Sequence, residues 1–211
     1  MKIDINKRYF PKEELGHGHR GQAEAMYKTL RTTFDESWDD MNSFIDVGCR
    51  DGFLPATVLQ DNEDMAVAGV DYFDWMKDKA PDTISDFYSV WDLRDDIREN
   101  EWMNNFKKDN YFDLVNCTEV AEHIDPDYAE IFLNNLKYLT NKYLVMTWSS
   151  HENDTHGQHL NPLKIDAFKK LMNDTGFEEE FDLTKRINQN GSYYKCPSWY
   201  INNGLSVWTV K

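Results

Sequence analysis

The chain of 211 residues contains little cysteine, few positive charges and no long apolar run. Its three cysteines, Cys49, Cys117 and Cys196, are odd in number and widely spaced. This pattern excludes a disulfide framework and a C-x-x-C metal site, and it favours a reducing compartment. No apolar run approaches about 18 residues, and the N-terminus lacks the apolar core of a signal peptide. We therefore expect a cytoplasmic protein without a membrane span.

Positive charge is scarce, because 23 Lys and Arg residues stand against 38 Asp and Glu residues, which gives a net charge of −15. Such a charge repels a nucleic-acid backbone over most of the surface, so a nucleic acid is not the expected partner. Aromatic residues make up 14% of the chain, which argues against disorder. The length favours a single domain over residues 1–211 with a substantial core.

Apolar runs alternate with amphipathic or polar segments along most of the chain. The runs predict strands at 44–47, 65–70, 87–90, 111–116, 143–148, 177–183 and 205–210. The segments between them predict helices at 53–60, 72–79, 94–108, 128–139 and 163–175, with another that begins at Thr118. This alternation predicts an α/β fold, an open and mostly parallel sheet with helices on both faces.

The two ends of the chain depart from this alternation. Residues 22–34 have apolar side chains at spacings of three and four, which predicts an amphipathic helix. With the loop before it, this helix makes residues 1–40 a candidate cover for the pocket. No helix is predicted between the last two strands, which should be antiparallel neighbours. Residues 185–203 are predicted to be a loop whose aromatic side chains form either a lid or local core: Tyr193, Tyr194, Trp199 and Tyr200.

The sequence FIDVGCRDG, residues 44–52, joins the first predicted strand to the first helix of the sheet. Gly48 and Gly52 allow a ligand to approach the backbone, and the helix N-terminus supplies unpaired N–H groups. Asp46 stands directly in this turn, where a carboxylate disfavours a pyrophosphate and favours a cationic ligand.

Two further acids end neighbouring strands. Asp71 closes the second strand about twenty residues after the glycine turn, where a carboxylate commonly meets ribose hydroxyls. Asp92 closes the third strand, where it can accept a hydrogen bond from an adenine amine. Each acid is also explained by an ordinary turn or helix cap, a frequent position for Asp.

These motifs together resemble those of class I S-adenosylmethionine-dependent methyltransferases, which have a Rossmann-like seven-stranded fold with an antiparallel last strand. The resemblance covers residues 40–211 and rests on FIDVGCRDG, VAGVDY (67–72), SVWDL (89–93), FDLVNCTEVAEHI (112–124) and LSVWTV (205–210). Arg50 departs from it, because a glycine is common at this position. The resemblance implies S-adenosylmethionine as cofactor and a cofactor site formed by Asp46, Gly48, Arg50, Gly52, Asp71, Tyr72, Trp91, Asp92, Cys117 and Thr118.

The predicted helix at Thr118 places Glu119, Glu122 and His123 on one face near the pocket mouth. In one interpretation, His123 or His159 is a general base that takes a proton from the acceptor. In another, these four residues bind a divalent metal, and E-x-x-E-H with a later His resembles metal-using RNA 2′-O-methyltransferases. In the simplest, Glu122 and His123 are a structural pair. We adopt the first interpretation as the prediction: His123 and His159 are the catalytic residues, and no metal is expected.

The expected activity is methyl transfer to a hydroxyl or amine of a small-molecule or sugar acceptor, because the surface is acidic and no added recognition domain is evident. A metal-assisted RNA 2′-O-methyltransferase is the alternative enzyme, and the net charge of −15 argues against it. A catalytically silent module that binds the cofactor and serves as an interaction partner is the alternative outside enzymes.

Overall fold

The computed structural model describes residues 18–101, 111–151 and 159–211. Within these ranges one sheet contains the strands β1 (Ser43–Val47), β2 (Ala66–Asp71), β3 (Tyr88–Val90), β4 (Phe112–Cys117), β5 (Thr140–Met146), β6 (Phe177–Glu179) and β7 (Ser206–Val210). The strand order is β3-β2-β1-β4-β5-β7-β6. Neighbours from β3 to β5 pair in parallel, and β7 pairs antiparallel with both β5 and β6. The predicted fold class is confirmed: an α/β Rossmann-like open sheet, mostly parallel, with an antiparallel last strand.

Helices cover both faces of this sheet. They are α1 (Gly18–Phe34), α2 (Glu36–Asp39), α3 (Phe53–Asp61), α4 (Asp74–Lys77), α5 (Ala129–Leu139), α6 (Ile165–Asp174), α7 (Phe181–Tyr193) and α8 (Ser198–Asn202). Apolar residues of α5 and α6 pack on one face, and those of α1, α2, α3 and α7 pack on the other. None of these helices combines the length and the apolar character needed to cross a membrane.

Alternation along the central strands divides the core into two layers. In β1, Ile45 and Val47 belong to the layer under α5 and α6, whereas Phe44 belongs to the layer under α1 and α3. Successive strand residues point to opposite faces, so Asp46 shares the face of Phe44. The same rule places the side chains of Asn116 and Cys117 on opposite faces, which decides which of them reaches the site.

Several predicted elements are wrong. In the described part of the predicted helix 94–108, residues 94–101, there is only a 3-10 turn at Ile97–Glu99, and residues 102–108 lie outside the described ranges. The predicted strand 177–183 ends at Glu179, and the predicted loop 185–203 instead contains most of α7 and all of α8. Two helices therefore separate the last two strands, although these strands are antiparallel neighbours as predicted.

The predicted helix at Thr118 is also absent. Only a 3-10 turn, Ala121–His123, forms in this segment. Glu119 has a φ of 59°, in the left-handed region, so a regular helix cannot pass through it. The predicted N-terminal loop lies mostly outside the described residues, as do His17 and His156.

Candidate functional site

The turn after β1 has three residues in the left-handed region: Gly48, Arg50 and Gly52, with φ of 80°, 54° and 71°. The N–H groups of Gly48 and Cys49 donate to the carbonyl of Val70, at 2.8 and 3.0 Å, which fixes the turn to the end of β2. A Cβ at Gly48 would lie 2.3 Å from a methyl carbon of Val120. Conformation and packing therefore both require glycine at residue 48.

Arg50 occupies the position where a glycine is common in the family that the sequence resembles. Its left-handed backbone is held by two hydrogen bonds. The N–H of Arg50 donates to Oδ2 of Asp71 at 2.8 Å, and its carbonyl accepts from the Tyr88 hydroxyl. Oδ1 of Asp71 accepts from the N–H of Phe73 at 3.0 Å. Burial raises the pKa of Asp71, although these backbone N–H groups of Phe73 and Arg50 act to lower it. The turn thus fixes a buried carboxylate at the end of β2.

A second buried carboxylate, Asp46, lies beside Asn116 of β4. The Asn116 amide donates to Oδ1 of Asp46 at 2.7 Å. Burial raises the pKa of Asp46 to about 7, which the Asn116 amide only partly opposes, and the charge of Asp71 adds to the rise. The amide oxygen of Asn116 is buried and has no hydrogen-bond partner in the structure. The carboxylate of Asp46 and the amide oxygen of Asn116 can therefore accept a hydrogen bond from a ligand. A cationic ligand would also reduce the repulsion between the charges of Asp46 and Asp71.

The third acid, Asp92, is engaged by a residue that the sequence analysis did not identify. The guanidinium of Arg94 donates to both oxygens of Asp92, at 2.8 Å each. Arg94 is 4% exposed and lies between the rings of Tyr72 and Tyr128, 5.6 and 5.8 Å from their centroids. The bond to Asp92 raises the pKa of Arg94. The backbone N–H of Arg94 also donates to Oδ1 of Asp92, at 3.0 Å.

These residues surround one cavity of about 480 Å³ at the carboxyl end of the parallel strands. Among the residues predicted for the cofactor, those that line it are Asp46, Gly48, Arg50, Asp71, Tyr72, Asp92 and Thr118. Gly52, Trp91 and Cys117 do not. Gly52 packs against Ile84, and the side chains of Trp91 and Cys117 belong to the core layer under α5 and α6. Strand alternation directs Cys117 away from the cavity, whereas its neighbour Asn116 lines it.

Helices α1 and α8 also contribute residues to the cavity wall. The wall residues of α1 are Gln22, Ala23 and Met26, and those of α8 are Trp199 and Tyr200. The amphipathic pattern of α1 was visible in the sequence, but nothing in it indicated which residues face the cavity. Of the four aromatic residues predicted as a lid or local core, Tyr193 and Tyr194 lie at the end of α7 and do not line the cavity.

Glu119 lines the cavity, and its carboxylate accepts hydrogen bonds from Thr147 and Asn203. Its Oε1 accepts from the Thr147 hydroxyl at 2.9 Å and from the Asn203 amide at 3.0 Å, and its Oε2 accepts from the same amide at 3.1 Å. Burial raises the pKa of Glu119, although these two partners act to lower it. Glu119 therefore does not share a helix face with Glu122 and His123.

Glu122, His123 and His159 lie together beside the cavity. The two imidazole rings have centroids 5.1 Å apart, and one ligand atom of each of the three residues lies within 4.8 Å of the others. Glu122 is fully buried, and its carboxylate oxygens make no hydrogen bond of normal geometry, although the backbone N–H groups of Glu122 and Ser149 lie near enough to oppose the rise in its pKa. Burial, with a smaller contribution from the charge of Glu119, raises the pKa of Glu122 to about 8. Of the two predicted catalytic histidines, His123 lines the cavity and His159 lies behind it.

Comparisons with known proteins agree with this geometry. A family model described as a methyltransferase domain matches residues 17–180. No curated protein matches the chain. The structure is similar to magnesium protoporphyrin IX methyltransferase from Synechocystis PCC 6803, solved with S-adenosylmethionine, at 19% identity, 77% of this chain, 70% of that chain and a TM-score of 0.54.

Two other solved structures are similar over more of the chain. An S-adenosylmethionine-dependent methyltransferase from Archaeoglobus fulgidus is 17% identical, with 92% of this chain and 96% of that chain covered and a TM-score of 0.56. A plantazolicin methyltransferase is 12% identical, with 94% and 87% covered and a TM-score of 0.58. These likenesses concern the fold, and the family match covers well over half of the chain. The chain belongs to the methyltransferase domain family and is a class I S-adenosylmethionine-dependent methyltransferase.

Proposed function

We propose that the chain transfers the methyl group of S-adenosylmethionine to a hydroxyl or amine of a small-molecule or sugar acceptor. The observation that carries this proposal is a cavity lined both by three buried or half-buried acids, Asp46, Asp71 and Asp92, and by residues of α1 and α8 together with His123. The acids suit the cofactor and the wall suits an acceptor. A cavity of about 480 Å³ is in the range of small-molecule sites.

The residues present fit the cofactor. Asp46 and the unpartnered oxygen of Asn116 are placed to accept from the ammonium of the methionine part, and their negative charge favours the nearby sulfonium. Asp71 would accept from the ribose hydroxyls, held in place by the backbone N–H groups of Arg50 and Phe73. Asp92 would accept from the adenine amine, held in place by the guanidinium of Arg94. The cofactor supplies a methyl group activated on sulfur.

Methyl transfer needs the acceptor atom in line with the sulfur–methyl bond, so positioning by the wall supplies much of the catalysis. The bond between the methyl carbon and the acceptor atom would form as the methyl–sulfur bond breaks. The acceptor proton leaves through His123, which lines the cavity, and His159 orients that ring from behind. The similar structures are named for different acceptors, and they are 19% identical to this chain or less. The net charge and the size of the cavity support a small acceptor.

Calorimetry with S-adenosylmethionine tests the cofactor site. Asp71→Ala is expected to weaken binding at least tenfold, because hydrogen bonds to a charged group contribute about 1.5–3 kcal/mol. Asp64→Ala is the matched control, since Asp64 is an exposed acid at the other end of β2. No binding by the wild type, or equal binding by both variants, contradicts the site.

A screen with radiolabelled methyl groups tests the acceptor. Phenols, sugars, amines and a structured RNA are offered in parallel, and transfer to one of the small molecules is expected. Transfer to RNA alone would favour the alternative enzyme. Cofactor binding without transfer to any acceptor would favour the catalytically silent interaction module.

A further inference from the structure

The group formed by Glu122, His123 and His159 has a composition and a geometry that the proposed function does not use fully. A carboxyl group that is fully buried and makes no hydrogen bond of normal geometry is costly to ionise. One ring nitrogen of each of the two imidazoles lies within 4.8 Å of a carboxylate oxygen of Glu122. We propose that Glu122, His123 and His159 bind a divalent transition-metal ion in the wall of the acceptor cavity. Such a cation would balance the negative charge of the buried Glu122 carboxylate.

The backbone holds the two segments of this site in register. The N–H groups of Leu160 and Asn161 both donate to the carbonyl of Glu122, at 2.8 and 2.9 Å. The indole N–H of Trp148 donates in turn to the carbonyl of Asn161 at 2.6 Å. The segment that carries His159 is therefore tied directly to the residue that supplies the carboxylate.

The environment of His159 also selects the ring nitrogen that a metal requires. Nδ1 of His159 lies 3.0 Å from the carbonyl oxygen of His151. A carbonyl only accepts, so Nδ1 carries the proton and Nε2 is left with its lone pair exposed for coordination. Metal-binding histidines commonly have such a partner on the second nitrogen.

The sequence offered four candidate metal ligands, and the structure brings three of them together: Glu122, His123 and His159. Both oxygens of Glu119 are bound by Thr147 and Asn203, so Glu119 is not part of the group. One carboxylate and two imidazoles suit borderline ions such as Zn²⁺ or Co²⁺ better than Mg²⁺ or Ca²⁺, which prefer oxygen ligands. Three protein ligands leave at least one coordination position open, and His123 places that position next to the cavity.

The consequence for the reaction rests on the proposed function. An acceptor hydroxyl bound at the open position would have a lower pKa and would release its proton to water. The oxygen then attacks the methyl carbon, the carbon–sulfur bond breaks, and S-adenosylhomocysteine leaves uncharged at sulfur. In this arrangement His123 is a ligand instead of a base, and hydroxyl acceptors are preferred over amines.

The test begins with metal binding, which needs no acceptor. Purified full-length protein is treated with a chelator, dialysed and titrated with Co²⁺, whose visible absorption reports coordination, and with Zn²⁺ by calorimetry. We expect one ion per chain. Glu122→Gln and His159→Ala should each weaken binding about 100-fold or more, since loss of even an outer partner of a ligand costs about 10- to 100-fold.

His151→Ala is the matched control. It removes an exposed imidazole from the same loop but keeps the backbone carbonyl that holds His159, so binding should equal that of the wild type. Circular dichroism melts show that each variant is folded. Absence of Co²⁺ binding by the wild type, or wild-type binding by both ligand variants, overturns the proposal.

Cofactor binding in the presence of chelator separates this proposal from the proposed function. If S-adenosylmethionine binds and Co²⁺ does not, the metal site alone is wrong. If Co²⁺ binds and S-adenosylmethionine does not, the proposed function fails while the metal site stands. Once an acceptor hydroxyl is known, chelation should abolish methyl transfer to it, and added Co²⁺ or Zn²⁺ should restore transfer. Transfer that is indifferent to the chelator overturns the catalytic role.

Discussion

Replacing Asp46 with asparagine is expected to stabilise the cofactor-free fold and to weaken cofactor binding. Burial raises the pKa of Asp46 from 3.8 to about 7, so ionisation is harder in the folded chain than in the unfolded one. That difference corresponds to about 4 kcal/mol above pH 7, which Asp46→Asn recovers. For a chain of this size the melting temperature should rise by roughly 8–16 °C. The same substitution removes the charge that faces the cofactor ammonium.

The sign of the pH dependence follows from the same pKa. Between about pH 4 and pH 7 the folded state keeps a proton on Asp46 that the unfolded state has lost, so stability falls as the pH rises through this window. The gain from Asp46→Asn should therefore be near zero at pH 4 and reach its maximum above pH 7. Cofactor affinity should drop roughly 10- to 150-fold, the equivalent of about 1.5–3 kcal/mol.

Thermal melts from pH 4 to 8 and calorimetry with S-adenosylmethionine at pH 8 measure both effects. Asp113→Asn is the control, because Asp113 is buried near the start of β4, three residues before the cavity residue Asn116, and does not line the cavity. Burial raises the pKa of Asp113, but the Asn42 N–H, the Asn141 amide and Lys142 outweigh it, and the pKa lies below its ordinary value. This control should lose stability and keep cofactor affinity. A destabilised Asp46→Asn, or one with wild-type affinity, would refute the reasoning.

Two further substitutions test the segments that hold the cavity residues in place. Asn135→Ala should destabilise the fold by about 2–4 kcal/mol in urea titrations, because the side chain makes three hydrogen bonds of 2.8 to 3.1 Å to backbone groups of residues 93–97. It should also weaken cofactor binding, since this segment adjoins Asp92; unchanged stability would contradict the assignment. Gly48→Ala should cost at least about 1–2 kcal/mol in the same assay, because φ is positive and Val120 occupies the space. Val120→Ala in the Gly48→Ala background should restore part of the loss, and absence of any recovery would show that packing is not the cause.

The parallel strands could be predicted because both faces of the sheet are covered. A strand buried on both sides must be an apolar run, and β2, β4 and β5 appear in the sequence as such runs. Acids at the ends of parallel strands share one edge of the sheet, so Asp71 and Asp92 could be assigned to a common site. The cavity lining agrees with that placement.

Helix α7 has only a weak local signal in the sequence, because its conformation depends mainly on distant partners. Its sequence is polar and contains Gly191, an unfavourable residue inside a helix. Its side chains bind the last strand region: the Thr184 hydroxyl accepts from the N–H of Val207, and the Asn188 amide donates to the carbonyl of Leu205. The recurrence of Leu183 and Ile187 at a spacing of four was a signal that the sequence analysis missed.

The predicted helix at Thr118 is wrong for a related reason. The spacing of Glu119, Glu122 and His123 is compatible with a helix, but the conformation of Glu119 depends on Thr147 and Asn203, which are 28 and 84 residues away in the chain. Those contacts separate Glu119 from Glu122 and His123. Strand alternation near Cys117 was predictable in principle, but the exact register of β4 decides it, and the boundaries of elements are the least reliable part of a sequence-based prediction.

The attachment of α1 to α7 and the segment after it sets the order in which the molecule can mature. Thr29, Thr32 and Thr33 of α1 bond to Cys196, Tyr194 and Asn190, across 157 to 167 residues of sequence. During synthesis, α1 leaves the ribosome long before these partners exist. The sheet edge with its acids is complete first, and the acceptor wall closes only when the final helices have been made.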